Sequence, residues 1–278
     1  MSMSDVNISD VVAAGFRSVR SGRIKAVKGE VQRCCAVDAR KLSLSLEAGA
    51  QAHLVLLHTK PGESSVELLL DENASLDVTH LFLCSAFSNV NVRQRSGSRC
   101  RFTVAELGSA NAAYTVALDE GSAEWRFDGV FVGTKDDRCF MAVNTRHNAP
   151  DCKSESMVKG VVSGRASGEF HGLVYVAPGA NRTDARQQSR NLEIGGDAHV
   201  VTCPQLEIYA DDVKCTHGAT VGHSDEEALL YMRQRGLDEK SARRLQTEGF
   251  VKDVISRCQD EALRSAVEMA VDEKLMEL

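Results

Sequence analysis

The sequence predicts a mainly β fold, built as a coil of short strands and followed by a small α-helical segment at the C-terminus. Short apolar or alternating segments rich in valine succeed one another from about residue 42 to residue 207, separated by Gly, Asn, Asp or Ser. Successive segments lie roughly 8–12 residues apart, which suits a sandwich, a barrel or a solenoid. The chain has only four prolines and one Asp-Gly hairpin signal, Asp128-Gly129, which favours a solenoid of parallel strands.

The predicted elements follow in order along the chain. Residues 1–41 form an N-terminal segment, with room for one short helix at Val11–Phe16. Residues 42–223 form the β core, and residues 224–278 form a C-terminal helical domain. The strands of the core are predicted at Leu54–His58, Val66–Leu70, Leu76–Cys84, Val90–Arg93, Phe102–Leu107, Tyr114–Leu118, Trp125–Val132, Phe140–Val143, Val158–Val162 and Phe170–Val176.

Capping signals and apolar periodicity predict the helices of the C-terminal domain. Ser224 and Glu227 have the spacing of a capping box, which predicts a helix beginning there. A second helix is predicted from Asp238 to near Gly249, and apolar residues at three-and-four spacing continue toward Leu275. Residues 224–278 hold 9 basic and 13 acidic residues, so this domain carries −4 of the formal net charge of −6.

Composition and motifs exclude several function classes. The excess of acidic over basic residues, 39 against 33, argues against a protein that coats nucleic acid or binds a membrane surface through basic residues. The longest aliphatic runs, such as Leu54–Leu57, fall far below the roughly 20 residues of a bilayer-spanning helix. The chain contains no Gly-Lys dipeptide and hence no Walker loop, no dinucleotide fingerprint, no nucleophile elbow and no His-Glu-x-x-His. These absences exclude the common nucleotide-binding and hydrolytic enzymes, and no spacing in the sequence would hold a catalytic acid–base pair together, so we assign no catalytic residues.

The nine cysteines indicate a reduced, intracellular chain. Cys34 and Cys35 are adjacent, the others are scattered, and no Cys-x-x-Cys occurs, which disfavours paired zinc knuckles. No apolar signal segment follows Met1, and no transit peptide is evident. We expect a cytoplasmic protein, or one of the plastid stroma if the host is plant-like.

Cys215 and His217 are the candidate metal ligands. They stand two residues apart in an extended segment, so both side chains leave the same face of the strand. A thiolate and an imidazole are both known ligands of iron–sulfur clusters. Two ligands do not close a site, so another chain or distant residues would complete it. The alternative is that Cys215 packs in the core and His217 is a hydrogen-bonded loop residue.

Residues 147–252 resemble the core domain of the Suf-system iron–sulfur cluster assembly scaffolds, the SufB/SufD family, and most closely the D component. The strongest match is residues 204–222, where His217-Gly218-Ala219 stands in place of the His-Glu-Ala typical of the B component. By this resemblance the chain lacks most of the N-terminal helical domain of the D component. The other matching pieces are His147, Pro150, Ser154, Ser156, Lys159-Gly160-Val161, Gly168-Glu169-Phe170-His171-Gly172, Ala180-Asn181-Arg182-Thr183-Asp184-Ala185, Gln187, Asn191-Leu192, Leu230-Tyr231, Arg235-Gly236 and Gly249-Phe250.

The resemblance implies a right-handed parallel β-helix and a set of partners. A D scaffold pairs through the end of its β-helix with a SufB-like scaffold, or with a second copy of itself, which places Leu206 and Ile208 at the partner surface. The helices after the β-helix dock a SufC-like ABC ATPase, for which Tyr231, Arg235 and Phe250 are the candidates. The resemblance also implicates His217, with Cys215 beside it, in a transient iron–sulfur cluster held only in the complex.

Two alternatives to a cluster scaffold remain open on the sequence. One is a purely architectural protein that docks the ATPase and has no cluster site. The other is a polysaccharide-binding or lyase β-helix, for which the sequence offers a group of arginines that could bind an anionic ligand or form a solvated face. That group consists of Arg93, Arg95, Arg99 and Arg101.

Overall fold

The computed structural model describes residues 15–278, except for the side chain of Ala262. Seventeen strands occupy most of this range, and three helices follow them. The strands are β1 Arg17–Val19, β2 Gly22–Ala26, β3 Val31–Val37, β4 Lys41–Leu46, β5 Gln51–His58, β6 Gly62–Leu70, β7 Ser75–Phe82, β8 Ala86–Gln94, β9 Arg99–Glu106, β10 Ala110–Leu118, β11 Glu124–Gly133, β12 Arg138–His147, β13 Lys153–Ser163, β14 Ser167–Val176, β15 Thr183–Ile194, β16 His199–Ile208 and β17 Val213–Gly222.

The strands form a parallel β-helix, which confirms the predicted solenoid. Odd-numbered strands make one sheet of nine, which we call sheet A, and even-numbered strands make a second sheet of eight, sheet B. Every strand pairs in parallel with the strand two places along the chain, so each turn of the coil contributes one strand to each sheet. The turns lengthen along the axis: Cys34 pairs with Leu54, 20 positions later, whereas Gln187 pairs with His217, 30 positions later.

The β-helix begins earlier than the sequence predicts. Strands β1–β3 lie within residues 17–37, which the prediction left outside the β core, and Cys34 and Leu54 are neighbours in sheet A. These first strands are short, and β2 has the polar sequence Gly-Arg-Ile-Lys-Ala, so they carry little periodicity that a sequence reading could detect. The short helix predicted at Val11–Phe16 lies mostly outside the described residues.

Stacked side chains fill the space between the two sheets. Residues that are paired from strand to strand stack their side chains in columns, and these columns are apolar through most of the coil and become polar toward its C-terminal end. In sheet A, one inward-facing column of paired residues runs Cys34, Leu54, Val78, Phe102, Phe127, Ser156, Gln187 and His217.

Three helices cover part of the outer face of sheet A. They are α1 Glu226–Gln234, α2 Glu239–Ile255 and α3 Glu261–Leu275. Val251 and Ile255 of α2 and Val267 of α3 belong to one buried cluster with outward-facing residues of sheet A, such as Val130. The last residues of strands in sheet A, such as β5, β9 and β11, are therefore buried one after another, because the core covers one face and the helices cover the other. Strands of sheet B, such as β6 and β8, alternate between buried and exposed residues.

Two helix boundaries differ from the prediction. The first helix is capped by Asp225, whose carboxylate accepts hydrogen bonds from the backbone N–H groups of Glu227 and Ala228, and not by Ser224. The second helix continues past Gly249 to Ile255, because the residues after the glycine bury apolar side chains against sheet A. Its start is as predicted, with Asp238 as the N-cap.

Buried lysines attach the helices to the coil. Lys159 of β13 is 4% exposed, and its Nζ donates to the carbonyl of Phe250 at 2.8 Å and to Asp253 Oδ2 at 2.6 Å. Lys274 of α3 donates to Asp137 Oδ2 at 2.8 Å, in the turn after β11. Each buried charge thus has a partner across the junction, as such groups require. Among residues 15–278, none of the helices has the length and apolar character needed to cross a bilayer.

Candidate functional site

The candidate site is the C-terminal end of the β-helix, where the last turn of the coil leaves its inner surface uncovered. Strand β17 is the terminal strand of sheet A and β16 that of sheet B, and within the described residues each is paired on one side only. Side chains that would be buried in an interior turn are half-exposed or exposed here. An edge of this kind presents unpaired backbone N–H and C=O groups as well as apolar side chains.

Cys215 and His217 lie on the inward face of β17, as the two-residue spacing predicts. Each extends a column of the interior: Cys215 pairs with Ala185, and His217 pairs with Gln187. Cys215 is half-buried and His217 is exposed. Burial raises the pKa of the Cys215 thiol, so this group stays protonated near neutral pH, while the imidazole of His217 is open to solvent. His217 is therefore the more available ligand of the two.

Polar groups without partners lie beneath this open end. Gln187 is 1% exposed and Asn191 is 2% exposed, and Gln187 Nε2 and Asn191 Oδ1 are buried without a hydrogen bond to any of the described residues. Thr202 Oγ1, on the inward face of β16, is in the same state. Most buried polar groups in proteins have partners, so three exceptions around one opening mark it as chemically distinct from the apolar coil behind it.

Leu206 and Ile208 lie on the inward face of β16, at the edge of the same opening. Leu206 pairs with Val174 and Ile208 with Val176, and both partners are buried. Leu206 is half-buried, and Ile208 is 40% exposed. Val221 is a further exposed apolar residue at this opening, on the inward face of β17. It shares that face with Cys215 and His217, so the same alternation along the strand would have indicated it.

The residues proposed for ATPase docking occupy different positions in the helices. Tyr231 of α1 is 57% exposed, and the guanidinium of Arg235 lies 5.0 Å from the centre of its ring. The ring of Phe250 is half-buried against the cluster beneath the helices, and Lys159 Nζ lies 4.7 Å from its centre. Phe250 therefore holds α2 on sheet A. Leu230 on α1 and Leu245 on α2 are also exposed and apolar, and the sequence reasoning does not assign them to docking.

The arginine group at the ends of β8 and β9 forms ion pairs along the surface. Arg93 pairs with Asp119 at 2.9 Å, and Arg95 pairs with Asp71 at 3.2 Å. Arg99 and Arg101 belong to the other sheet and pair with Glu124 and Asp77, respectively. These contacts support the interpretation of a solvated face. In the described part of the chain, no three His, Cys, Asp or Glu side chains converge to hold a metal ion.

Comparison with known proteins identifies the family. The family described as "SUF system FeS cluster assembly, SufBD core domain" matches residues 30–250. The chain therefore belongs to the SufBD core family of iron–sulfur cluster assembly proteins. It is 37% identical over 158 residues to the iron–sulfur cluster assembly protein SufD of Escherichia coli strain K12, across 57% of this chain and 37% of that protein.

Two further relatives extend the comparison. An iron–sulfur cluster assembly SufBD family protein of Synechocystis sp. is 29% identical over 203 residues, across 69% of this chain and 44% of the relative. Protein ABCI7, chloroplastic, of Arabidopsis thaliana is 39% identical over 95 residues, across 34% of this chain and 20% of the relative. The chain thus spans less than half the length of each of these relatives.

Proposed function

We propose that the protein is a non-enzymatic scaffold subunit of an iron–sulfur cluster assembly complex. The observation that carries this proposal is the uncovered last turn of the β-helix, with His217 and Cys215 on its inner face and apolar residues beside them. Membership of the SufBD core family supports the cluster as cargo. We propose that the compartment is the cytoplasm, or the plastid stroma if the host is plant-like, and the relatives include both a bacterial and a chloroplastic protein.

The partner at this end is a SufB-like scaffold or a second copy of the chain. Two strands of the partner would continue the two sheets, one pairing with β16 and the other with β17 through main-chain hydrogen bonds. The same contact would bury Leu206, Ile208 and Val221, whose neighbours one turn back are already in the interior. Both the backbone edge and the apolar residues thus favour the same surface.

Replacing Ile208 with lysine is expected to weaken pairing at least tenfold, because the contact would bury a charge without a partner. The control is Val201→Lys on the same strand: Val201 is 38% exposed, close to the 40% of Ile208, but lies on the outward face. The mass of the complex is measured after co-expression with a SufB-like chain and a SufC-like ATPase. Equal loss of pairing in the two variants, or a wild-type chain that stays monomeric, would contradict the proposed interface.

We assign the cluster to a shared site between the two scaffolds. His217 and Cys215 supply two donors, and a cluster needs ligands that a facing chain would add. Because the Cys215 thiol has a raised pKa, its ionisation would accompany binding of the metal. Such a site forms and disappears with the complex, so the cluster is transient and the isolated chain holds none permanently.

The helices are the proposed docking surface for the ATPase. The chain has no Walker loop of its own, so ATP-driven rearrangement would require a second protein. Tyr231 is exposed and Arg235 stacks on its ring. The helical domain also exposes Leu230 on α1 and Leu245 on α2. An aromatic residue paired with arginine is a common anchor of protein interfaces.

Tyr231→Ala is expected to reduce co-purification of the ATPase by roughly tenfold, the effect of losing an aromatic anchor worth about 1–2 kcal/mol. Pairing with the SufB-like scaffold should be unchanged, because Tyr231 lies on α1 and is not part of β16 or β17, the terminal strands that form the proposed pairing surface. The matched control is Tyr209→Ala, since Tyr209 is 59% exposed and follows β16. Retention of the ATPase by the Tyr231 variant, with the complex otherwise intact, would move the docking surface elsewhere.

A further inference from the structure

Gln187 lies in the interior directly behind His217. The two residues are paired neighbours in adjacent parallel strands, β15 and β17, and both face inward. Adjacent strands lie about 4.8 Å apart, so the amide and the imidazole are next neighbours in one column of side chains. Gln187 is 1% exposed, yet its Nε2 is buried without a partner among residues 15–278. A fully buried amide with unused hydrogen-bonding capacity next to a candidate ligand requires an explanation.

The opposite sheet is shaped to accommodate this amide. Gly172 of β14 faces Gln187 across the interior, and a Cβ atom added to Gly172 would lie 2.4 Å from Nε2 and 2.5 Å from both the amide carbon and Oε1. All three amide atoms thus occupy the space of a side chain at residue 172. In sheet B, the paired neighbours Val143 and Pro204 do carry side chains at the equivalent positions. The missing side chain at Gly172 keeps the amide inside the coil.

We propose that Gln187 is a positioning residue that orients the imidazole of His217 for metal binding. A neutral histidine binds a metal through one ring nitrogen, and the N–H on the other nitrogen donates to a neighbouring acceptor that sets the tautomer and the plane of the ring. The amide oxygen of Gln187 would be that acceptor once the amide turns Oε1, and not the donor Nε2, toward the ring on β17. This inference rests on the proposed role of His217 as a cluster ligand.

Two substitutions disturb the amide in different ways. Gln187→Met removes both polar atoms while keeping the length of the side chain. Gly172→Ala keeps the amide but displaces it, since the added Cβ would overlap it. The matched control is Gly218→Ala, which adds the same atom beside His217, where nothing lies within 4 Å.

The tautomer of His217 is measured from the ring ¹⁵N chemical shifts of the isolated full chain, whose folding is checked by circular dichroism. We expect Gln187→Met and Gly172→Ala to change the tautomer ratio by roughly fivefold, the effect of one ordinary hydrogen bond, while Gly218→Ala leaves it unchanged. Cluster content after anaerobic reconstitution with the partner chains should fall in the first two variants only. An unchanged tautomer ratio in both of them would overturn the inference.

The same measurements separate this inference from the proposed function. If His217→Ala removes the cluster while Gln187→Met and Gly172→Ala alter neither the tautomer nor the cluster content, the positioning role is wrong and the ligand role stands. If the tautomer responds to both substitutions but His217→Ala leaves cluster content unchanged, Gln187 orients the ring and the ligand role of His217 is wrong.

Discussion

His217→Ala is expected to reduce cluster formation in the assembled complex by more than tenfold. The substitution removes one of the two donors on the inner face of the last turn, and the remaining one, Cys215, has a raised pKa that disfavours the thiolate. Folding should be unaffected, because the imidazole is exposed at the end of its column. Cluster content is measured by absorption after anaerobic reconstitution with a SufB-like scaffold and a SufC-like ATPase.

The matched control for this prediction is His199→Ala. His199 is also exposed on a terminal strand, at the start of β16, but its side chain faces outward beside Glu193. This variant should assemble clusters at the level of the unmodified chain. Normal cluster content in the His217 variant, with partner binding intact, would favour the alternative of an architectural protein that docks the ATPase without a cluster site.

Glu106→Gln is expected to stabilise the protein increasingly as the pH rises. Glu106 lies in the interior column of sheet A between Phe82 and Phe131, and both carboxyl oxygens are buried with no hydrogen bond from the part of the chain that the structure describes. Burial raises the pKa of this carboxyl well above its ordinary value of 4.5. Above pH 4.5 the unfolded state releases the proton and the folded state keeps it. The free energy of unfolding of the unmodified chain therefore falls by about 1.4 kcal/mol per pH unit from this group.

The variant carries a neutral amide in both states, so the difference between the two proteins isolates the contribution of Glu106. Their stabilities are compared by urea unfolding at pH 5, 6, 7 and 8. Glu63→Gln, at an exposed position on β6, is the control and should show a flat difference. His58 has a pKa lowered to about 4 by burial, so it makes stability rise with pH between about 4 and 6.5, but this contribution is common to both proteins and cancels. If the difference in free energy of unfolding between the Glu106→Gln variant and the unmodified chain does not grow with pH, Glu106 ionises inside the fold and the prediction is wrong.

The position of the candidate ligands could be predicted from the sequence, because it depends only on local geometry. Residues two apart in a strand share a face, so Cys215 and His217 were expected together once the segment was assigned as extended. Leu206 and Ile208 follow from the same alternation on β16. Residues 17–37 show the opposite case, because short polar strands are stabilised by their neighbours in the sheet and carry little signal of their own.

Other features depended on contacts between distant parts of the chain. The sequence suggests Phe250 for the docking surface, and the structure places its half-buried ring beside Lys159, 91 positions earlier in the sequence. The second helix was expected to end near Gly249, but burial of the following turn against sheet A outweighs the low helix propensity of glycine. The partnership of Gln187 with Gly172 likewise arises only where two sheets face each other.

Alternation, spacing and capping signals in the sequence predict short strands, a helical C-terminus and the face that bears His217, because each depends on residues close together in the chain. They favour a coil of parallel strands over a sandwich or a barrel, and the resemblance of residues 147–252 to the Suf scaffolds implies the parallel β-helix. The tertiary structure decided which face of each strand is covered. It showed continuous apolar segments in sheet A beneath the helices, simple alternation in sheet B, and a last turn that no further strand within residues 15–278 covers. Burial depends on what lies across a sheet or beyond its edge, and that neighbour is remote in sequence.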